Sequence, residues 1–101
     1  MCVQAGKIDN CIQEMERLSM DVVGLSEGRW TDSGMIDKGD HSMVFSGGQK
    51  HQNGVGILMT KKMASYVQRY IPVSDRVIAA KFQAKQMNIL FIQEYAPTSR
   101  R

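Results

Sequence analysis

Apolar residues recur along this chain at two different spacings. Ile8, Cys11, Ile12, Met15 and Leu18 fall three and four apart, the stripe of one helical face. Asp9, Gln13, Glu14, Glu16 and Arg17 take the other face. Asp9 stands early and Arg17 late, each at the end where the helix dipole favours its charge. The spacing predicts a helix that is left at Ser19 and Met20.

The spacing then changes. Val22, Val23 and Leu25 form a run without polar alternation, which predicts a strand covered on both faces, with neighbours on both sides. A helix followed at once by such a strand implies a layered α/β arrangement. From residue 28 to residue 42 the periodicity disappears, and Gly34, Asp37, Gly39 and Asp40 predict a loop. Met43, Val44 and Phe45 read as a short strand ending at Gly47-Gly48. Residues 54–60, GVGILMT, read as another, its glycines allowing close backbone approach or a bulge. Residues 61–70 read as one helical turn or more, with Met63, Val67 and Tyr70 on one side, and Pro72 as the stop. In residues 75–82 Ile78, Ala80 and Phe82 share one face while Val77, Ala79 and Lys81 point the other way. Residues 88–93 form a further apolar strand. The last two segments predict a β-hairpin.

With 101 residues and 43% hydrophobic composition, the chain is one small domain or part of one. No apolar run approaches the roughly 20 residues that span a bilayer, and no signal-peptide pattern opens the chain. The formal charge of +3 is scattered, and it permits a nucleic-acid partner without requiring one. Cys2 and Cys11 have no metal-ligand spacing, and reduced thiols are the simpler reading.

Glu27 follows the strand that ends near Ser26. Carboxylates at such strand ends bind Mg²⁺ with several waters, or pair with a neighbour such as Arg29. Tyr95 follows the last strand; its phenol suits a phosphate oxygen, or a wet hydroxyl above a buried ring. His41 and His51 sit in polar segments and read as surface residues. Arg29 and Trp30 suit nucleic acid through charge and stacking, or Trp30 packs beneath the loop. Gly54-Val55-Gly56 lacks the Lys-Ser/Thr of a phosphate-binding loop.

In order and spacing, "DVVGLSEGRWTDSG", "NGVGILMTKKM", "PVSDRVIAAKF" and "NILFIQEYAPTS" resemble the endonuclease/exonuclease/phosphatase superfamily, and within it the craniofacial development protein 2-like group and related retrotransposon-type endonuclease domains. The resemblance implies a four-layer α/β/β/α sandwich that cleaves phosphodiesters with Mg²⁺ or Mn²⁺. It implies that Glu27 is a metal ligand and that Tyr95 is a catalytic residue near the scissile phosphate. Arg76 would open a core strand and, with Arg29, meet nucleic acid. Thr98 stands where relatives often carry Asn. DNA is the implied partner and the nucleus the implied place.

The family's first strand and its later Asp-x-Asn and Asp-His motifs have no counterpart in residues 1–101. The expectation is therefore an α/β (α+β) chain forming part of that sandwich, without the first strand and the C-terminal half. Such a piece of a DNA endonuclease domain is expected to be inactive alone. The alternative is a non-catalytic relic, or a module that binds protein through exposed sheet edges.

Overall fold

A computed structural model describes residues 8–26, 32–48 and 54–95. The fold is α+β, with strands predominating. Helix α1 (Ile8–Leu18) precedes strand β1 (Val22–Ser26), β2 (Gly34–Lys38), β3 (His41–Ser46) and β4 (Val55–Thr60). A single-turn helix α2 (Lys61–Ala64) leads into β5 (Val67–Ser74), β6 (Val77–Ala84) and β7 (Met87–Glu94). Two antiparallel sheets result, one in the order β1-β4-β3-β2 and one in the order β5-β6-β7.

Strand alternation decides how the layers meet. Val55, Ile57 and Met59 of β4 and Val44 of β3 turn to one side of the first sheet, where they pack with Ile78, Ala80 and Phe82 of β6. All seven are fully buried. Phe82 is the largest of them by volume, and truncating it to Ala is expected to cost ~3–5 kcal/mol. Leu25, Met43 and Leu58 turn to the opposite side and receive Cys11 and Met15 of α1. The helical stripe read from the sequence packs through Ile8, Cys11, Ile12 and Met15, while Leu18 at its end is exposed. Among the described residues, the layers are α1, the four-stranded sheet and the three-stranded sheet. No described helix covers the outer face of the second sheet, where Ile71, Leu90 and Ile92 are exposed.

Helix α1 ends at a left-handed residue. Ser19 has φ 56, its N–H donates to the Glu16 carbonyl, and the Met20 N–H donates to the Met15 carbonyl at 2.9 Å. This pair of bonds is the Schellman stop, usually built on Gly.

Among the described residues strand β1 pairs with β4 alone, which agrees with the expected lack of the first strand. Its apolar run reports two covered faces, α1 on one and the second sheet on the other, and faces are not edges. Several expectations are corrected. The expected loop before residue 42 contains β2, which forms a hairpin with β3 through Gly39-Asp40. Gly39 has φ 62, the Gly-first placement of a type II′ turn. Helix α2 is a single turn ending at Ala64, the shortest length the sequence predicts, and Val67 and Tyr70 lie in strand β5 instead of on a helical face. Thr60 caps α2 by accepting from the Met63 N–H at 3.3 Å. Pro72 does not stop a helix; it lies in an edge strand, where a missing N–H is tolerated. His41 is buried, not a surface residue, and its Nε2 has no partner among the described residues. Cys11 is not a free thiol, against the reduced-thiol reading. The hairpin of β6 and β7 matches the sequence reading, with Ile78 opposite Gln93 and Ala80 opposite Phe91.

Candidate functional site

Four strand ends meet at one end of the two sheets. In the first, Ser26 lies opposite Val55 and Val55 opposite Ser46, so the last residues of β1 and β3 flank the start of β4. In the second, Ser74 lies opposite Val77 and Val77 opposite Glu94, so β5 and β7 end together. A hydrogen bond joins the two rims: Ser46 Oγ donates to the Ser74 carbonyl at 2.6 Å. Gly48 lies against Asp75 closely enough that an added Cβ would stand 2.8 Å from its carboxylate oxygen.

This rim receives two of the four candidate residues. Tyr95 follows β7 directly and is half-buried, and its ring packs on the shared core. Its backbone N–H donates to the Arg76 carbonyl at 2.8 Å, so residues 19 apart in sequence are tied together. Arg76 is exposed. It does not open strand β6, as expected; it lies in the two-residue turn Asp75–Arg76 between β5 and β6, because pairing starts at Val77. That turn is shaped by the Ser74 hydroxyl, which accepts from the Arg76 N–H at 3.1 Å. Glu27 and Arg29 lie outside the described residues, as do Trp30, His51 and Thr98. Strand β1 ends one residue before Glu27.

The rim therefore carries the half-buried Tyr95 and the exposed Ser74 and Arg76, while the Ser46 hydroxyl is buried and spent on the Ser74 carbonyl. Phenol, hydroxyl and guanidinium groups bind anionic oxygens such as phosphate. Among the described residues no three His, Cys, Asp or Glu side chains converge to hold a metal. The perturbed carboxylates lie elsewhere. The Ser42 hydroxyl, donating to Asp37 at 2.8 Å, holds that carboxyl below its ordinary value, and Lys61 at 3.0 Å adds to the effect. Glu14 is lowered in the same way by Arg17, on the solvent face of α1.

Sequence reading missed Ser46, Gly48, Ser74 and Asp75 as rim residues. One usable signal was a serine closing each of β1, β3 and β5. A groove of about 460 Å³ is also present among the described residues. It runs between α1, β1 and β7, lined mainly by apolar side chains such as Met15, Leu18, Met20, Val22 and Phe91. No described helix is long and apolar enough to cross a membrane.

No protein-family profile and no solved structure matches the chain. Two curated proteins do match. The chain is 38% identical over 94 residues to craniofacial development protein 2 of Bos taurus, and 36% identical over 94 residues to craniofacial development protein 2 of Tragulus javanicus. Each match covers 92% of this chain and 16% of the relative, so the chain spans about a sixth of the length of the curated relatives it matches. Over nearly its whole length, this chain is similar to a short stretch of craniofacial development protein 2.

Proposed function

We propose that this chain is part of a metal-dependent phosphodiesterase domain of the endonuclease/exonuclease/phosphatase type, acting on DNA. The observation that carries the reading is the shared rim: the end of β1, which leads to Glu27, lies on the same side as Tyr95 and Arg76. In this reading Glu27 is one carboxylate ligand of Mg²⁺ or Mn²⁺, with water filling other positions. The metal would supply Lewis-acid stabilisation of a phosphoryl oxygen. Tyr95 would hold a phosphate oxygen through its phenol, and Arg76 and Arg29 would bind the nucleic-acid backbone.

One carboxylate and one phenol do not also provide a base and a full set of charge stabilisers. The 101 residues alone are therefore expected not to nick supercoiled or abasic DNA with Mg²⁺. A longer protein carrying this segment is expected to nick, and Glu27→Gln in it should lower the rate at least ~100-fold, in the range of losing one electrostatic stabiliser. Nicking by the longer protein that is unchanged in Glu27→Gln and Tyr95→Phe would overturn the assignment.

A second reading is a non-catalytic module that binds another protein. It is favoured by the exposed Ile71, Val73, Leu90 and Ile92 on one sheet, since exposed apolar patches commonly mark interaction surfaces. Analytical ultracentrifugation showing a stable, soluble monomer at high concentration would count against it.

A further inference from the structure

Gly24 and Gln93 belong to different sheets, yet the Gln93 carboxamide lies directly on the Gly24 backbone. Gly24 shares its side of β1 with Val22, which packs on the core between the sheets. Gln93 shares its side of β7 with Phe91, which packs on the same core. A Cβ built on Gly24 would overlap Oε1 and Cδ of Gln93. The absent side chain on one strand is thus filled by a long one from the other. The Gln93 amide nitrogen also donates, at 3.4 Å, to the Glu94 carbonyl, which orients the carboxamide along its own strand.

We infer that Gln93 is a positioning residue for the rim: seated on Gly24, its carboxamide fixes how the end of β1 stands against the end of β7. This rests on the proposed site reading and deepens it. Gly24 is two residues before Ser26, where β1 ends, and Gln93 two before Tyr95. Strands are stiff over such spans, so a change in the gap at this contact is carried to both strand ends. The core residue Val55, opposite Ser26, and the Ser46–Ser74 bond also stand at the rim, but neither joins β1 to β7. Tyr95 is anchored to the β5–β6 turn through Arg76, but that bond lies within one sheet and sets no distance to β1.

The test uses fluorine NMR on the 101-residue chain labelled with fluorotyrosine, in which Tyr66, Tyr70 and Tyr95 give separate lines. Gly24→Ala is expected to move the Tyr95 line and leave Tyr66 and Tyr70 in place. In a Gln93→Ala background the same change should leave Tyr95 in place, because the added methyl has nothing to push. An equal Tyr95 shift with and without Gln93, or no shift, overturns the inference. Should Gly24→Ala not fold, Gln93→Asn and Gln93→Met decide. Asn withdraws the amide by one methylene and should move the Tyr95 line, while Met keeps the reach and should not. Equal effects of the two substitutions overturn the inference. Added Mn²⁺ separates this claim from the site reading. Broadening of the Tyr95 line that is lost in Glu27→Gln supports the metal site; no broadening sinks that site and leaves the fluorine shifts to decide Gln93.

Discussion

The hydroxyl of Ser46 donates to the carbonyl of Ser74 at 2.6 Å, and this bond ties the rim of the four-stranded sheet to the rim of the three-stranded one. Ser46 is 3% exposed, so its hydroxyl has little access to solvent as an alternative partner. Ser46→Ala is expected to destabilise the chain by about 1 kcal/mol, the usual net worth of such a bond. Urea unfolding should show a lower midpoint at unchanged slope. An unchanged midpoint would mean that the two rims are held by the apolar core alone.

Two left-handed positions predict opposite signs. Gly39 occupies its turn at φ 62, and Gly39→Ala should cost about 1–2 kcal/mol. Ser19 occupies the helix stop at φ 56 with a Cβ that Gly would lack. Ser19→Gly should therefore stabilise the chain, by roughly 0.5–1 kcal/mol. Thermal melts of both variants check the pair; loss of stability in Ser19→Gly would refute the stop described for α1.

Asp37 gives a pH dependence with a definite sign. Its carboxyl is lowered in the folded chain, first by the Ser42 hydroxyl and then by Lys61. A depressed acid contributes stability that is present above its unfolded value and is lost as pH falls through the folded one. Ser42→Ala should raise the Asp37 titration toward the ordinary aspartate value, read by carbon NMR of the carboxyl. Because both charged side chains are largely exposed, added salt should shrink the Lys61 part and leave the Ser42 part. A titration that ignores Ser42→Ala would remove the hydroxyl as the main cause.

His41 is 4% exposed and its Nε2 lacks a partner among the described residues. Replacing a buried, unsatisfied polar group by an apolar one of similar bulk is neutral or stabilising. His41→Leu should leave the urea midpoint unchanged or raise it. A clear loss of stability would show that the imidazole has a partner, such as an ordered water.

Much of the arrangement was legible in the residues. The stripe of Ile8, Cys11, Met15 and Leu18 gave α1 because a helix packed on one side must repeat at three and four. Ile78, Ala80 and Phe82 gave the inner face of β6 by alternation. Strand β2 was not legible by that route, since Met35 and Ile36 are both exposed and leave no alternating face to read; the Gly39-Asp40 pair was the turn signal available. Residues 61–70 misled because Met63, Val67 and Tyr70 fit a helical spacing, although Val67 and Tyr70 favour strands. Of the site, Tyr95 was legible as a strand-end phenol. Its tie to Arg76 was not, because that bond joins backbone groups and leaves no mark on side-chain type.

The two sheets close over very different lengths of chain. Strands β5, β6 and β7 join through tight turns, so each pairing needs only a short loop. Strand β1 instead pairs Val22 with Met59, across the whole β2–β3 hairpin and the residues on either side of it. Loop-closure entropy favours short loops first, so the hypothesis is an order of assembly: hairpins early, β1 late. The strand leading to Glu27 would then be the last piece of the rim to arrive and the first to leave. Pulse-labelled hydrogen exchange that protected Val22–Ser26 as early as Val77–Ala84 would contradict that order.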